Sequence, residues 1–270
     1  MDRNGTRVWM SAGTRMKVVA RGRRLAEVVT KYRNWAQVLT GPPPGSQQRV
    51  LALRNGVVLA APPDPYFETV VNEIFFDHVY TRFGCALRPE DDVVDIGANV
   101  GVFSVYAGRV VRRVFSFEPH PVNVRFITAN VERNGLSNIV VEAAAVGDRV
   151  GTARLYLGAG AYGHLMFDHN VSGKLGESID VPVTTLASIT EKHRLERIGL
   201  LKMDCEGAEG LILSSLAMDG LALVDRICME YHDNVSPMDH DQIQQLLADA
   251  DFKTAHVALD ATFGYLYGWR

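Results

Sequence analysis

The sequence has little of what several protein classes require. Only three of its 270 residues are cysteine, and no two of them form a Cys-x-x-Cys pair. They lie among apolar neighbours, which favours reduced thiols in a cytoplasmic protein. No stretch approaches the roughly 18 consecutive apolar residues of a membrane-spanning helix, and there is no internal repeat or low-complexity tract. With 47% hydrophobic and 22% charged residues, the composition excludes a disordered, collagen-like or coiled-coil chain.

A large excess of one charge is also lacking. The chain has 28 basic and 31 acidic residues and a formal net charge of −3, and it shows no aromatic-rich basic groove, so no nucleic-acid partner is expected. The charges are unevenly placed, because residues 1–33 hold nine Lys or Arg against two acidic residues. An exposed basic arm explains this better than a mitochondrial transit peptide. No secretory signal is visible, since Arg15 and Lys17 interrupt the first apolar run.

Residues 1–84 are predicted to form an extension before the main domain. Residues 17–39 carry apolar side chains near helical spacing, and three consecutive prolines end that helix. The Asn55-Gly56 turn between two short apolar runs predicts a β-hairpin. Residues 66–83 predict a second helix with one broad apolar face. The extension therefore consists of a helical arm, a β-hairpin and a lid or docking helix.

From about residue 91 onward, short β-branched runs alternate with amphipathic helical stretches. This alternation is typical of βαβ units and predicts an α/β fold with a mainly parallel sheet. The predicted strands are 93–96, 113–117, 139–146, 199–203, 223–230, 252–259 and 262–267. The predicted helices are 101–111, 121–134, 185–194, 207–216 and 237–250. The glycine-rich stretch 158–177 is too long and irregular for a simple connection, and such loops are often lids.

A glycine turn follows the first predicted strand of the main domain. The run from Asp95 to Ser104 reads DIGANVGVFS and joins a buried strand to a helix, the position at which open α/β sheets bind nucleotides. A dinucleotide-binding turn would have a glycine in place of Asn99, and a P-loop would end in Gly-Lys-Ser/Thr. The spacing of Gly97 and Gly101, with an acid before the turn, suits a ligand with an amino acid group better than one with two phosphates.

An acidic residue ends the next predicted strand. Glu118 comes about twenty residues after the turn, where a carboxylate can accept two hydrogen bonds from the vicinal hydroxyls of a ribose. The alternative is that Glu118 only caps the helix that begins near Pro121. In combination with the glycine turn, the acid favours an adenosine-containing ligand.

These motifs resemble those of the FkbM family of S-adenosylmethionine-dependent methyltransferases. The resemblance extends over about 57–230 and rests on VDIGANVG at 94–101, FEP at 117–119 and LKMDCEGAE at 201–209. It implies the class I methyltransferase fold, a Rossmann-like α/β fold with a seven-stranded, mostly parallel sheet whose last strand is antiparallel. It also makes 85–270 the S-adenosylmethionine-binding methyltransferase domain. The cofactor-binding residues that we predict on this basis are Asp95, Gly97, Ala98, Asn99, Gly101, Ser104, Glu118, Pro119, Ala144, Ala145 and Asp204.

Four polar side chains are predicted to gather where the fourth and fifth strands of the main sheet end. Asp204 and Glu206 follow the fourth strand, and Glu230 and His232 belong to the end of the fifth. Because the carboxyl ends of parallel strands face the same crevice, we expect these side chains to converge beside the methyl donor. Methyl transfer to a hydroxyl requires a base that takes the proton. Histidine titrates close to neutral pH, so His232 is the predicted base, with the three acids as further catalytic residues.

A metal ion is the alternative interpretation of the acidic cluster. Asp204, Glu206 and Glu230 offer the oxygen ligands that Mg²⁺ or Ca²⁺ prefers, and such an ion could polarise an acceptor hydroxyl. We do not expect a metal, because the D-x-E pair is not a diagnostic spacing and Asp204 could instead orient the amino group of the donor. For Glu209 we favour a position in the first turn of a helix. For Cys205 we favour packing, because neighbouring carboxylates raise a thiol pKa.

Other polar residues could also border the ligands. Tyr66, Glu73 and Tyr80 could close over the methionine end of the donor, although packing is favoured for each. His164 and His169 in the glycine-rich stretch could touch an acceptor.

The predicted function is that of a cytoplasmic S-adenosylmethionine-dependent O-methyltransferase. Its partner would be a small or glycosylated acceptor, such as a sugar, polyketide or other natural product, and S-adenosylhomocysteine would be released. Two alternatives stay open. One is N-methylation of an amine, where the acidic cluster would orient a cationic acceptor, and the other is a non-catalytic S-adenosylmethionine-binding or assembly module. The basic arm at 15–40 is expected to pack over the site or to mediate a homodimer.

Overall fold

A computed structural model gives the fold and describes residues 12–157, 177–216 and 218–270. The predicted lid at 158–177, with its two histidines, lies outside these residues except for Glu177. The helices are α1 (Ala12–Lys31), α2 (Trp35–Thr40), α3 (Phe67–Phe75), α4 (Val102–Gly108), α5 (Pro121–Arg133), α6 (Leu186–His193), α7 (Glu209–Ser215), α8 (Met218–Ala222) and α9 (His240–Asp249). The strands are β1 (Arg49–Ala52), β2 (Val58–Ala61), β3 (Asp92–Ile96), β4 (Arg113–Phe117), β5 (Ile139–Glu142), β6 (Ala145–Val146), β7 (Gly151–Tyr156), β8 (Ser178–Thr184), β9 (Leu200–Met203), β10 (Arg226–His232), β11 (Lys253–Ala258) and β12 (Phe263–Trp269).

A seven-stranded sheet in the order β11-β12-β10-β9-β3-β4-β5 forms the centre of the fold. Strands β5, β4, β3, β9 and β10 run parallel, and β12 lies antiparallel to both of its neighbours. Every residue of β3 and of β9 is buried, as expected for parallel strands covered on both faces. The predicted α/β class, the seven-stranded sheet and the antiparallel last strand are thus confirmed.

The predicted strand 139–146 is wrong as one unit. The chain leaves the main sheet after Glu142, and β6 pairs with β8 in a separate three-stranded sheet that also contains β7. Ala144 N–H donates to the carbonyl of Glu142, which marks the turn between the two strands. Strands β7 and β8 were not predicted, because only one residue of each is fully buried and the apolar alternation is weak.

The N-terminal helices are shorter than predicted. The helix expected over 17–39 is interrupted after Lys31, because Tyr32 forms an antiparallel bridge with Leu53 of the hairpin. The helix expected over 66–83 ends at Phe75, and only a single 3-10 turn follows at Val79–Thr81. His78 lies between them with a left-handed φ of 55°, a conformation that an α-helix of L-residues does not contain.

The part of the N-terminal extension from Val28 onward shares a core with the main sheet. Val28, Tyr32 and Phe67 are fully buried in the same apolar cluster as Val93 of β3 and Val114 of β4. A second cluster on the sheet packs α6, α7 and α9. The domain division at residue 84 stays a prediction. Within the described ranges, no helix is long and apolar enough to cross a membrane.

Candidate active site

A cavity of about 480 Å³ lies where β3, β4, β9 and β10 end, the edge at which open α/β sheets bind their ligands. Its volume is within the range of small-molecule sites. The lining residues come from the glycine turn, from the strand ends and from the segment around α3. They are Tyr66, Thr69, Val70, Glu73, Ile74, Tyr80, Ile96, Gly97, Ala98, Asn99, Val100, Val102, Phe103, Phe117, Glu118, Pro119, Asn123, Ala145, Val146, Leu155, Lys202, Asp204, Cys205, Glu206, Glu230, Phe263 and Tyr265.

The glycine turn needs its first glycine for two reasons. Gly97 has a φ of 71°, in the left-handed region that favours glycine. A Cβ at this position would lie 1.8 Å from the backbone oxygen of Asp204, so no other residue fits without moving the backbone. The N–H groups of Gly97 and Ala98 both donate to the carbonyl of Phe117 at 3.0 Å, which fixes the turn to the end of β4.

Glu118 faces this turn from the end of β4. Its Oε2 accepts a hydrogen bond from Asn99 N–H at 2.9 Å, and its Oε1 accepts from His120 N–H at 2.8 Å and from the side-chain amide of Asn123 at 3.4 Å. Burial raises the pKa of Glu118 to about 7, although these hydrogen bonds act in the opposite direction. The carboxyl group is therefore held in one place and is only partly ionised at neutral pH.

Lys202 was not predicted, yet it connects the turn to the acidic residues. Its ammonium lies 3.1 Å from Asp95 Oδ1 and 3.7 Å from Asp204 Oδ2, and it donates to the carbonyl of Gly97 at 2.9 Å. Burial by itself would lower the pKa of Lys202, but the two carboxylates raise it above its usual range. A single lysine inside the apolar run of β9 was the signal that sequence analysis could have used.

Asp95 and Ser104 lie behind the cavity wall. Ser104 donates to Asp95 Oδ2 at 2.6 Å and accepts from the hydroxyl of Ser116 at 2.9 Å, and all three residues are fully buried. With Lys202 on the other carboxylate oxygen, these bonds connect β3, β4, β9 and α4 beneath the turn.

Tyr80 joins two of the predicted catalytic acids. Its hydroxyl lies 2.6 Å from Glu230 Oε1 and 3.1 Å from Asp204 Oδ2. Burial, with the charge of Asp204 next, raises the pKa of Glu230 well above its usual range. Burial and the same carboxyl groups raise the pKa of Tyr80, so its phenol stays protonated.

Glu206 and His232 form a second pair. His232 Nε2 lies 3.5 Å from Glu206 Oε2 and 4.0 Å from Glu230 Oε2. Burial raises the pKa of Glu206 to about 7; the charge of Asp204 also raises it, and His232 lowers it. A carboxyl group with a raised pKa and an imidazole therefore meet at this side of the cavity.

The structure brings most of the predicted site residues together. Those that line the cavity are Gly97, Ala98, Asn99, Glu118, Pro119, Ala145, Asp204, Glu206 and Glu230. Those that adjoin the lining residues in sequence or by contact are Asp95, Gly101, Ser104, Ala144 and His232. Their ligand-binding and catalytic roles stay predictions. Phe263 and Tyr265 were missed because the antiparallel last strand, and not a motif, brings them to the cavity.

Other expectations concern residues around the cavity. Glu209 begins α7, as predicted, and its carboxylate accepts from Cys205 N–H at 2.9 Å and Gly207 N–H at 3.0 Å. Burial, together with the charges of Glu209 and Asp204, raises the pKa of the Cys205 thiol. Among the described side chains, none of the basic arm lines the cavity. Across all the residues that the structure describes, no group of three or more His, Cys, Asp or Glu is arranged to hold a metal ion.

The sheet order and the cavity at its carboxyl edge define a Rossmann-like α/β protein of the methyltransferase type. A sequence model of the methyltransferase FkbM domain matches residues 95–254, more than half of the chain, and this protein belongs to that family. It is thus a methyltransferase.

The chain is also similar to other named methyltransferases. The 31-O-demethyl-FK506 methyltransferase FkbM of Streptomyces tacrolimicus is 28% identical over 212 residues, which are 68% of this chain and 81% of that protein. Methyltransferase sdnD of Sordaria araneosa is 27% identical over 215 residues and covers the same shares. The crystal structure of methyltransferase FkbM from Methylobacillus flagellatus KT is 16% identical, with a TM-score of 0.49 over 74% of this chain and 48% of that one.

Proposed function

We propose that this protein is an S-adenosylmethionine-dependent O-methyltransferase that methylates a hydroxyl of a small metabolite, such as a sugar, polyketide or other natural product. The observation that carries the proposal is a single cavity that contains the glycine turn, Glu118 and four further carboxyl groups. The name of the Streptomyces tacrolimicus relative specifies an O-demethyl acceptor, which supports a hydroxyl over an amine.

The residues at the turn fit an adenosyl donor. Gly97 lets the turn pack closely against the Asp204 backbone, and both Gly97 and Glu118 line the cavity. Glu118 Oε2 accepts one hydrogen bond, from Asn99, and a carboxylate oxygen can accept about two, so capacity remains for a ribose hydroxyl. Asp204 offers a carboxylate to the ammonium group of the donor. When bound, S-adenosylmethionine supplies the electrophilic methyl carbon.

The acceptor proton would be taken at the Glu206–His232 pair. Glu206 lines the cavity, and its pKa of about 7 allows it to hold or release a proton under working conditions. His232 contacts it from the end of β10 and can share the proton. Tyr80 holds Glu230 and Asp204 in fixed positions next to this pair.

Calorimetric titration with S-adenosylhomocysteine tests the donor site, with NADH as the control ligand. We expect micromolar binding that weakens at least tenfold in Glu118→Ala and stays unchanged in Glu132→Ala, which removes an exposed acid on the next helix. No binding by the wild-type protein, or equal binding by all three, would contradict the proposed donor site.

Product analysis tests the reaction. The protein is incubated with S-[methyl-¹³C]-adenosylmethionine and panels of hydroxylated and amine acceptors, and the product methyl group is assigned by NMR. We expect an O-methyl resonance that is lost in His232→Gln and kept in His256→Gln, which changes an exposed histidine of β11. An N-methyl product would favour the amine alternative, and tight donor binding without turnover would favour a binding module.

A further inference from the structure

The edge of β2 that faces away from β1 forms hydrogen bonds with side chains at the C-terminal end of α5. Among the described strands, β2 pairs with β1 alone, so the N–H and C=O groups of Val58 and Ala60 on its other edge need partners. Asn134 accepts from Val58 N–H at 3.0 Å and donates to Val58 C=O at 2.8 Å. Asn130 accepts from Ala60 N–H and donates to Ala60 C=O, both at 2.8 Å.

The two asparagine side chains make the hydrogen bonds that a neighbouring β-strand would otherwise make with β2. They lie four residues apart, one on the last turn of α5 and the other at its C-terminal end, and therefore share a face of the helix. A carboxamide carries the same donor and acceptor groups as a peptide unit. Each asparagine pairs with one residue of β2 whose backbone N–H and C=O groups point away from β1. Such residues recur at every second position along a strand.

Asn130 makes one contact that Asn134 does not have. Its second amide hydrogen reaches the carbonyl of Val100 at 2.8 Å, inside the turn that Gly97 and Gly101 define. Asn130 and Val100 are both fully buried. Within the described residues, two side chains thus donate hydrogen bonds to carbonyl groups of the turn. The ammonium of Lys202 donates to the carbonyl of Gly97, and the carboxamide of Asn130 donates to that of Val100.

We propose that Asn130 is a positioning residue for the donor site, because its carboxamide fixes the glycine turn to the hairpin of the N-terminal extension. This inference rests on the proposed function, in which the turn binds the donor. Asn99, next to Val100, has a φ of 52°, and left-handed backbone at a residue other than glycine persists only where the surroundings fix it. Asn130 supplies this restraint, whereas Asn134 only anchors the hairpin.

Comparison of Asn130→Ala with Asn134→Ala separates the two roles. Both variants lose two hydrogen bonds to β2, but only the first loses the bond to the turn. Hydrogen exchange followed by mass spectrometry should show at least tenfold faster exchange over residues 97–104 in Asn130→Ala and wild-type exchange there in Asn134→Ala. The affinity for S-adenosylhomocysteine should fall at least tenfold in the first variant and less than twofold in the second.

The two measurements distinguish the failure of this inference from the failure of the proposed function. If the wild-type protein does not bind S-adenosylhomocysteine, the donor proposal fails, and the exchange data still decide the role of Asn130. Equal exchange in both variants would overturn the inference. If Asn130→Ala does not fold, Asn130→Asp is the second variant. It keeps the acceptor for Ala60 N–H and for Arg133, which donates to the same oxygen at 2.8 Å, but it has no hydrogen to donate to the carbonyls of Ala60 and Val100. Wild-type exchange over the turn in this variant would equally overturn the inference.

Discussion

Replacement of Lys202 by methionine should destabilise the fold strongly while keeping the side-chain volume. Lys202 is 3% exposed and Asp95 is fully buried, so the variant would leave an uncompensated carboxylate beneath the glycine turn. Removal of one partner from a buried ion pair costs about 3–5 kcal/mol. Because a domain has about 5–15 kcal/mol of total stability, the variant should lose a large fraction of its free energy of unfolding.

A double-mutant cycle shows whether the loss comes from the buried charge. In Lys202→Met/Asp95→Asn the uncompensated carboxylate is gone, while Ser104 can still donate to the amide oxygen. The double variant should therefore be more stable than Lys202→Met, with a coupling free energy of at least about 2 kcal/mol, within the range for residues in contact. Urea denaturation followed by circular dichroism measures each free energy of unfolding.

A surface ion pair of similar length is the matched control. Lys192 lies 2.8 Å from Glu142, but its side chain is 61% exposed, and exposed pairs contribute about 0–1 kcal/mol. Lys192→Met should therefore cost less than about 1 kcal/mol. Equal losses in Lys202→Met and Lys192→Met, or additive effects of the Lys202 and Asp95 changes, would refute the argument that the loss is due to an uncompensated buried carboxylate.

Three further predictions concern donor binding, the rate of methyl transfer and the pH dependence of stability. Gly97→Ala should abolish binding of S-adenosylhomocysteine, because the added Cβ would overlap the backbone of Asp204. The control is Gly135→Ala, at a glycine that also has a positive φ but whose added Cβ would meet nothing within 4 Å. This variant should bind as the wild type does in the same titration. Tyr80→Phe should lower the rate of methyl transfer about 100-fold, since a misplacement of catalytic groups by about 1 Å can cost that much. Tyr267→Phe, which loses a buried hydroxyl that donates to the backbone of Val79, should keep the rate and lose only thermal stability. Burial raises the pKa of Glu118 from 4.5 to about 7, so the folded state binds more protons than the unfolded state between pH 4.5 and pH 7. Glu118 therefore makes the protein less stable by up to about 3 kcal/mol as the pH rises through this range. In urea titrations at pH 5 and pH 8, the fall in stability should therefore be smaller for Glu118→Gln, and an unchanged pH dependence would contradict the assignment.

Local pattern was sufficient for much of the fold. The central strands β3, β4 and β9 are short, apolar and almost entirely buried, and the helices between the strands have apolar residues at helical spacing, so these elements could be predicted from their own residues. The glycine turn was visible for the same reason, since the residues from Asp95 to Gly101 are consecutive and their chemistry depends on backbone geometry.

Long-range contacts decided the remaining features. The sequence gives no local sign that the chain changes sheets after Glu142, because the hydrogen bonds of β6 are made with β8, about forty residues later. The helix before Tyr32 ends because a hairpin twenty residues away supplies its next hydrogen bonds. Periodicity describes the face that a segment buries, but not the partner against which it is buried.

The sequence by itself determined the α/β class, the family motifs and the candidate donor residues, because these depend on neighbouring residues whose spacing is read directly along the chain. Only the tertiary structure decided which polar groups meet. It placed Lys202 between Asp95 and Asp204, Tyr80 between Asp204 and Glu230, and Asn130 between the hairpin and the glycine turn. The strength of such contacts depends on burial and on distances of about 3 Å, and the packing of segments far apart in sequence sets both quantities.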